Sequence, residues 1–354
     1  MAHFQRLDLY NFRSWKSYTF EPAPKVSLIT GPNGSGKTNI LEALFYAVMA
    51  KSFRHARLRE MVTTGEKEFS IRIKAESHAR THDLKVSGTI ADHSFELDGH
   101  RLKSVGELVG RFPVMVFSPD DLAIAAGAPV ERRRFLNMLI SQCSSHYFHT
   151  LLKYNRTLHQ RNATLKLQST DRAYLSVLTE SLIIDGAAIR KERRDFVKRL
   201  ELHGAGCLKT ISGESLSLSY HPGNNKNGDE TALLKEEASL CSVQETMERT
   251  TLFGPHTDDL KIRLQDKEAR KFGSRGQIRS IVLALKMGGV SLLEESSGEK
   301  CILLLDDLFS ELDDSRSEEL MHILQGERQA IIAMPKRAEW MPLSEPISVY
   351  NTTD

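Results

Sequence analysis

The chain has 354 residues, more than one ordinary compact core holds, because chains beyond about 250–300 residues usually split into domains. Its 40% hydrophobic and 27% charged residues are typical of a globular protein in water, and a net charge of +2 neither requires nor excludes nucleic acid. No apolar run approaches the roughly 20 residues of a membrane-spanning helix, the N-terminus lacks the pattern of a signal peptide, and the four cysteines form no C-x-x-C pair. We therefore expect a cytoplasmic protein with no membrane partner, zinc site or disulfide framework.

The first 117 residues are predicted to form mostly strands. A helix is predicted after the second of these strands, at about Lys37–Lys51, and Asp98-Gly99 is a hairpin-turn signal. The predicted strands are Phe4–Tyr10, Val26–Ile29, Phe69–Ala75, His82–Val86, Phe95–Leu97 and Val114–Phe117.

The pattern becomes helical at Ser118, where Ser-Pro-Asp-Asp is typical of a helix start. Apolar residues then recur at helical spacing to about residue 205, and a last helix is predicted at Leu233–Arg249. Strand–helix alternation returns after residue 250, with strands at Leu260–Leu264, Cys301–Leu305 and Ala330–Ala333 and helices at Gln277–Leu293 and Asp314–Leu324. The sequence thus predicts an α/β head built from residues 1–117 and 250–354, with a mainly helical arm at 118–249 inserted between its halves.

A complete phosphate-binding loop follows the strand at Val26. The motif G-x-x-x-x-G-K-[ST] is matched by Gly31, Pro32, Asn33, Gly34, Ser35, Gly36, Lys37 and Thr38. Its glycines let backbone N–H groups point at phosphate oxygens, and the following helix adds its positive dipole end. Lys37 is predicted to reach the β- and γ-phosphates of ATP, and the Thr38 hydroxyl to bind Mg²⁺.

The acidic half of a nucleotide site is predicted at the end of the strand Cys301–Leu305, a continuous apolar run typical of a strand covered on both faces. Asp306 then emerges at the carboxyl end, where it can hold Mg²⁺. Asp307 occupies the position of the residue that orients the attacking water, and it is one methylene shorter than Glu, so we expect slow hydrolysis. About 270 residues separate the two halves, which excludes small kinases and GTPases.

A third element indicates the class of ATPase. Ser274, Gly276 and Gln277 open a predicted helix and resemble the ABC signature, and Ser310–Asp313 resembles the D-loop that follows Walker B in that superfamily. The resemblance implies that the signature of one subunit closes over ATP held by another. Ser274 would then contact the γ-phosphate in trans, and the chain would form an ATP-dependent homodimer.

Several further segments resemble one family, RecF, and extend over most of the chain. They are Leu9–Arg13, Gly31–Glu42, Val116–Leu122, Glu131–Leu136, Gln160–Asn162, Gly254–Leu260 and Leu304–Asp313. The resemblance implies an ATPase head without a long coiled coil, whose ATP-bound dimer clamps double-stranded DNA near single-strand gaps. It also implies a role in recombinational repair and replication-fork maintenance with RecO and RecR, which help to load RecA. The implied activity is a weak, DNA-stimulated ATPase that acts as a switch.

Three alternatives remain open: a transporter ATPase subunit, a nuclease-associated head of the Rad50 type, and a binding protein with an inactive nucleotide site. The long insertion opposes the first and the absence of a heptad pattern opposes the second. The presence of Lys37, Thr38 and Asp306 opposes the third alternative as far as nucleotide binding is concerned. Turnover is left open, because Ala333 stands where relatives place a polar residue and Lys336 is the candidate substitute.

The contacts of the basic residues are not fixed by the pattern. Arg132–Arg134 and the basic residues of Arg190–Arg194 are candidates for DNA phosphates, or they form a solvated helix face. Arg13 is predicted either to reach the γ-phosphate or to lie at the surface. His256 lies either near the nucleotide or in a structural role.

Overall fold

The computed structural model of the chain describes residues 1–167, 171–223, 228–308, 328–336 and 347–352. The chain divides into two compact units. The first consists of residues 1–121 and 293–354, and the second of residues 122–292. The sequence places its boundaries at 117/118 and 249/250 instead, and the domain assignment stays a prediction.

The first unit contains two sheets. The antiparallel sheet has, in spatial order, β2 (Trp15–Phe20), β1 (His3–Phe12), β4 (Glu68–Ser77), β5 (Arg80–Thr89), β6 (His93–Leu97) and β7 (His100–Arg101). The parallel sheet has β14 (Ile347–Asn351), β3 (Val26–Thr30), β13 (Ala330–Met334), β12 (Ile302–Asp306) and β8 (Val114–Phe117). Its helices are α1 (Lys37–Met49) and α2 (Leu58–Met61), with 3-10 turns at Val105–Glu107 and Pro119–Asp121.

The two sheets differ in burial as their sequences require. Strand β4 alternates, so that Phe69, Ile71 and Ile73 are buried while the residues between them face outward. Strand β12 is buried at each of its first four residues, as expected of a parallel strand covered on both faces. Asp98 and Gly99 have φ values of 53° and 80°, the left-handed conformation that a two-residue hairpin turn needs.

The second unit is mainly helical. Its helices are α3 (Leu122–Ala126), α4 (Pro129–Cys143), α5 (Ser145–Leu165), α6 (Arg172–Ser212), α7 (Glu230–Glu248), α8 (Ala269–Phe272) and α9 (Arg275–Ser297), of which α9 contains the division at 292/293. A three-stranded antiparallel sheet has the order β11 (Lys267–Glu268), β10 (Asp259–Leu264) and β9 (Leu216–His221). Strand β10 pairs with β9 along its whole length.

Some elements differ from the sequence prediction. The prediction that one α-helix begins at Ser118 is wrong, because the chain forms a 3-10 turn there and then the five-residue helix α3. Strands β2, β9 and β14 were not predicted. The predicted helix Asp314–Leu324 lies outside the described residues.

Helix α9 is long enough and apolar enough, with a mean hydropathy of 1.2, to cross a membrane. No other helix in the described ranges meets both criteria. In its most apolar 18-residue window, 78% of the residues are buried within the protein. That degree of burial is usual for the core helix of a folded domain.

The arginines proposed for DNA contact are mostly structural. Arg132 forms two hydrogen bonds to the carboxylate of Asp259, at 2.7 and 3.0 Å, and Arg190 is fully buried between Glu237 and Asp258. Arg193 is 2% exposed. The Arg193 guanidinium donates to two tyrosine hydroxyls, to Asn137 Oδ1 and to a backbone carbonyl.

Two further arginines of these runs also have hydrogen-bond partners. Arg133 donates to the carbonyl of Asp258 at 2.8 Å, and Arg194 pairs with Glu230. The DNA interpretation is therefore wrong for Arg132, Arg190 and Arg193, since a buried guanidinium surrounded by acceptors cannot reach a phosphate. Arg134 and Lys191 alone in these two runs are exposed.

Replacing Arg190 with Met should destabilise the fold by about 3–5 kcal/mol, because the change leaves two buried carboxylates without their cation. Lys191→Met is the matched control, since Lys191 is exposed and such a change usually costs within about 0.5 kcal/mol. The measurement is the denaturant midpoint of each variant. Equal midpoints for the two variants would contradict the structural role of Arg190.

Candidate functional site

The phosphate loop joins β3 to α1 at the carboxyl edge of the parallel sheet. Gly36 has a φ of 97°, and a Cβ there would lie 2.8 Å from the ring of Trp15, so both conformation and space require glycine. At Gly31 a Cβ would lie 2.1 Å from Thr352 Oγ1. The tip of the loop, Pro32–Gly34, is exposed to solvent.

Lys37 begins helix α1 and folds back over the loop. Its ammonium donates to the carbonyl of Gly31 at 2.7 Å and to that of Pro32 at 2.8 Å, and the residue is only 9% exposed. Burial lowers the pKa of Lys37, and Asp307 and Asp306 partly oppose that shift. The side chain is thus a partly desolvated cation held beside the backbone that would cradle a phosphate.

The sheet brings the two predicted halves of the site together. Strand β13 lies between β3 and β12, and the Thr38 hydroxyl donates to Asp306 Oδ1 at 2.8 Å across 268 residues of sequence. Burial raises the pKa of Asp306, while the hydrogen bond from Thr38 and the charge of Arg54 lower it. A half-buried carboxylate beside a hydroxyl is a pair of hard oxygen ligands suited to Mg²⁺.

Asp307 follows directly and adopts a left-handed conformation, with φ at 48°. Its N–H donates to the carbonyl of Ala333 at 2.9 Å, which fixes the turn after β12. Asp tolerates this region of backbone space better than most residues with longer side chains, because its short carboxylate bonds locally. Ala333 is 1% exposed and offers only a methyl group, while Lys336 is exposed.

Arg13 lies beside α1 in an ion pair. Its guanidinium donates to both carboxylate oxygens of Glu42, at 2.8 and 2.7 Å, and to the carbonyl of Glu60 at 2.7 Å. Glu42 is fully buried and also accepts from Ser52 at 2.5 Å. The contact of Arg13 with a γ-phosphate stays a prediction, and that contact would have to compete with a buried bidentate pair.

Two groups near the loop were missed by sequence reasoning. Arg54 is 42% exposed, lies 3.6 Å from Glu42, donates to Asn39 Oδ1 at 3.2 Å and lowers the pKa of Asp306 through its charge. Trp15 donates from its indole nitrogen to the carbonyl of Gly36 at 3.3 Å and stacks on Tyr18 at 4.1 Å. Neither Arg54 nor Trp15 belongs to the phosphate-loop motif or to the acidic strand end, so these motifs gave no signal for them.

Thr352 was missed as well. Its hydroxyl donates to Ser35 Oγ at 2.5 Å, and its N–H donates to the carbonyl of Thr30 at 2.9 Å. Strand β14 places it there by pairing in parallel with β3. A site residue near the end of the chain is visible only once that pairing is known.

The predicted signature is described within the second unit. Ser274 and Gln277 form a capping box: the Gln277 N–H donates to Ser274 Oγ at 3.2 Å, and the Ser274 N–H donates to Gln277 Oε1 at 2.9 Å. Gln277 also donates to Glu214 at 2.7 Å. Ser274 is exposed, so its hydroxyl stands at the surface at the N-terminus of α9.

The remaining sequence-predicted candidates are His256 and the D-loop. His256 is bonded to the Tyr154 hydroxyl at 2.6 Å and to the carbonyl of Thr251 at 3.1 Å, and burial lowers its pKa, which favours the structural interpretation. The predicted D-loop, Ser310–Asp313, lies outside the described residues. Within the described ranges no group of three His, Cys, Asp or Glu side chains is placed to hold a metal ion.

The residues present fit a nucleoside triphosphate with magnesium. The loop supplies backbone donors and one lysine for phosphates, while Thr38 and Asp306 supply two oxygen ligands. Mg²⁺ at such sites uses one or two carboxylates and takes its remaining ligands from phosphates and water. A cluster of three protein ligands is therefore not needed.

Comparison with known proteins identifies the family of the chain. The family model RecF/RecN/SMC N terminal domain matches residues 3–354. A protein of Chlorobium phaeobacteroides named DNA replication and repair protein RecF is 34% identical over 95% of this chain and 96% of its own length. Its namesake in Moorella thermoacetica is 36% identical over 93% of this chain and 88% of its own length.

Solved structures agree with this. One described as the recombination mediator protein RecF with ATP, in the RecFOR pathway, is 32% identical and superposes with a TM-score of 0.90 over 96% of this chain and 93% of that one. An Smc head domain from Pyrococcus furiosus, 16% identical, superposes at 0.55 over 95% of this chain and 90% of that one and shares the fold alone. The predicted ABC-type ATPase head with an inserted helical region is confirmed, and the chain belongs to the RecF family.

Proposed function

We propose that the chain is an ATP-binding protein of DNA replication and repair. The observation that supports this best is the contact between Thr38 and Asp306, which completes a magnesium–triphosphate site from two distant parts of a RecF-family chain. In this proposal Lys37 binds the β- and γ-phosphates and the backbone of Gly31–Gly36 cradles them. Thr38 and Asp306 hold Mg²⁺.

The nucleotide acts as a switch in this proposal. The exposed Ser274, at the N-terminus of a 23-residue helix, is suited to meet the γ-phosphate bound by a second copy. ATP would therefore assemble a homodimer that clamps double-stranded DNA near a gap, and hydrolysis would release it. Family resemblance extends the proposal to cooperation with RecO and RecR in loading RecA in the cytoplasm.

Hydrolysis is proposed to be slow and stimulated by DNA. Asp307 holds its carboxylate on a short side chain in a left-handed turn, and Ala333 supplies no polar group. Orientation of the attacking water is sensitive to displacements of about 1 Å, so this arrangement favours a long-lived ATP state over rapid turnover.

Lys37→Met should weaken binding of ATP–Mg²⁺ by roughly 10- to 150-fold, the loss expected when a charge-assisted hydrogen bond to phosphate is removed. The measurement is calorimetric titration. Lys25→Met is the control, because Lys25 is exposed just before β3. Unchanged affinity in Lys37→Met, or equal losses in both variants, would count against the assigned site.

Ser274→Arg should leave nucleotide binding intact but prevent the doubling of molecular mass that ATP–Mg²⁺ and a short duplex produce in the wild type. The bulky cation would block the approach of the partner's γ-phosphate. Ser274→Ala controls for the loss of the helix cap, which costs about 1 kcal/mol of stability. A wild type that stays monomeric, or a Ser274→Arg variant that dimerises equally well, would refute pairing through this helix.

A further inference from the structure

The C-terminal part of helix α6 lies against the first turns of helix α9. A Cβ at Gly288 of α9 would lie 2.8 Å from the backbone nitrogen of Gly204 of α6, so the two backbones are in direct contact there. Further along the chain from α6, Glu214 accepts a hydrogen bond from Gln277 Nε2 at 2.7 Å, whereas Gln277 precedes Gly288 in α9. The two helices therefore run antiparallel, and the close contact at the glycines fixes which residues meet at the start of α9.

Glu214 is held in one position by its neighbours. It follows Gly213, which ends α6 in a left-handed conformation with φ at 70°. One carboxylate oxygen of Glu214 accepts from Gln277, and the other accepts from Ser212 Oγ at 3.1 Å. The side chain is half-buried. Both oxygens thus have a donor, and the carboxylate is fixed beside the N-terminus of α9.

The side-chain amide of Gln277 has two chemically different ends, and each meets a different partner. Its Oε1 accepts from the Ser274 N–H at 2.9 Å, and its Nε2 donates to Glu214. Rotation of the amide by half a turn would exchange these ends and bring Nε2 against the Ser274 N–H, one donor against another. A carboxylate only accepts hydrogen bonds, so Glu214 stabilises the orientation that closes the capping box.

The capping box in turn orients the hydroxyl of Ser274. The Gln277 N–H donates to Ser274 Oγ at 3.2 Å, so the oxygen is the acceptor in that contact and the hydroxyl hydrogen can be given to an acceptor outside the helix. Ser274 is exposed. A phosphate oxygen is such an acceptor, and a helix N-terminus favours negative charge. The orientation of one amide therefore decides which way a surface donor points.

We propose that Glu214 is a positioning residue for Ser274 in ATP-dependent pairing. By accepting from Gln277, it holds the signature in the arrangement that meets the γ-phosphate bound by a second copy. The inference rests on the proposed function and deepens it. Glu214 lies 63 residues from Gln277 and outside every motif of the nucleotide site, so the sequence alone gives no signal for this role.

A purely structural role is the alternative, in which Glu214 only fastens α6 to α9. The two roles differ in what they require at position 214. Fastening depends on the size or the charge of the side chain, whereas orienting the amide depends on an acceptor oxygen. Glutamine retains such an oxygen without the charge, and methionine has nearly the same length with no comparable acceptor. These two replacements therefore separate the roles.

The first experiment measures the molecular mass of the full chain by light scattering, with ATP–Mg²⁺ and a short duplex, over a range of protein concentrations. Glu214→Met should raise the concentration for half-maximal pairing by about 10- to 30-fold, because a symmetric dimer contains the lost contact twice. Glu214→Gln should stay within about 3-fold of the wild type. Glu66→Met is the control, since Glu66 is exposed before β4 and its loss changes the net charge equally. Calorimetric affinity for ATP–Mg²⁺ should be the same in all four proteins, because the phosphate loop is unchanged.

The second experiment needs no nucleotide and measures hydrogen exchange in the free protein. Glu214→Met should open the capping box and speed deuterium uptake at least about 3-fold in a peptide of residues 272–279, which contains the Ser274 amide. A peptide of residues 282–292 should exchange as in the wild type. Glu214→Gln and Glu66→Met should keep the wild-type uptake in both peptides.

Pairing and exchange by Glu214→Met at wild-type levels would overturn the proposal, because Gln277 would then need no partner to be oriented. Equal losses in Glu214→Met and Glu214→Gln, or faster exchange along the whole of α9, would assign Glu214 the fastening role instead. A wild type that never doubles in mass with ATP–Mg²⁺ would refute the clamp. Hydrogen exchange in the free protein would then decide by itself whether Glu214 orients the signature.

Discussion

The hydrogen bond between Thr38 and Asp306 is the contact on which the proposed nucleotide site depends. It exists because a parallel sheet brings the carboxyl ends of β3 and β12 to one edge, two strands apart. The buried apolar runs of these strands determine that arrangement, and the polar residues emerge only where the strands end. Burial of Asp306 at that edge raises its pKa, so a bound cation would relieve a cost that the fold imposes.

A second buried interaction organises the helical unit. Asp258, which is 1% exposed, accepts from Arg190, from the Tyr220 hydroxyl and from the N–H of Gly223. It thereby ties helix α6 to strand β9 and to the loop before β10. A charge buried this deeply is tolerated only when its acceptors are saturated, which explains how Asp258 can be buried within the polar segment Gly254–Leu260.

The sequence predicted what short-range rules determine. The phosphate loop, the acidic strand end and most strands followed from motifs and from alternating or continuous apolar runs, and the predicted and observed bounds of β3 and α1 nearly agree. Strand β14 and Thr352 were missed because parallel pairing with β3 has no local signal. Arg132 and Arg190 were misjudged for the same reason: their carboxylate partners lie 47 to 127 residues away, and no spacing rule reveals such a pair.

The buried partners of these arginines also explain why the net charge of the chain is a poor guide to nucleic-acid binding. Arg132, Arg190 and Arg193 count toward the total of 48 basic residues. Their guanidinium groups are buried against acceptors inside the protein, so they add little to the electrostatic potential at the protein surface. At physiological ionic strength the field of an exposed charge falls off over about 8 Å, so a polyanion responds to the cations that it can approach closely. Internal ion pairs remove basic and acidic residues from the surface together, so a local excess of positive charge depends on how the exposed charges are distributed and not on the total. Asp258, Asp259, Glu237 and Glu245 are paired with internal arginines in this way, whereas Arg263, Lys267 and Arg270, around β10 and α8, are exposed to solvent.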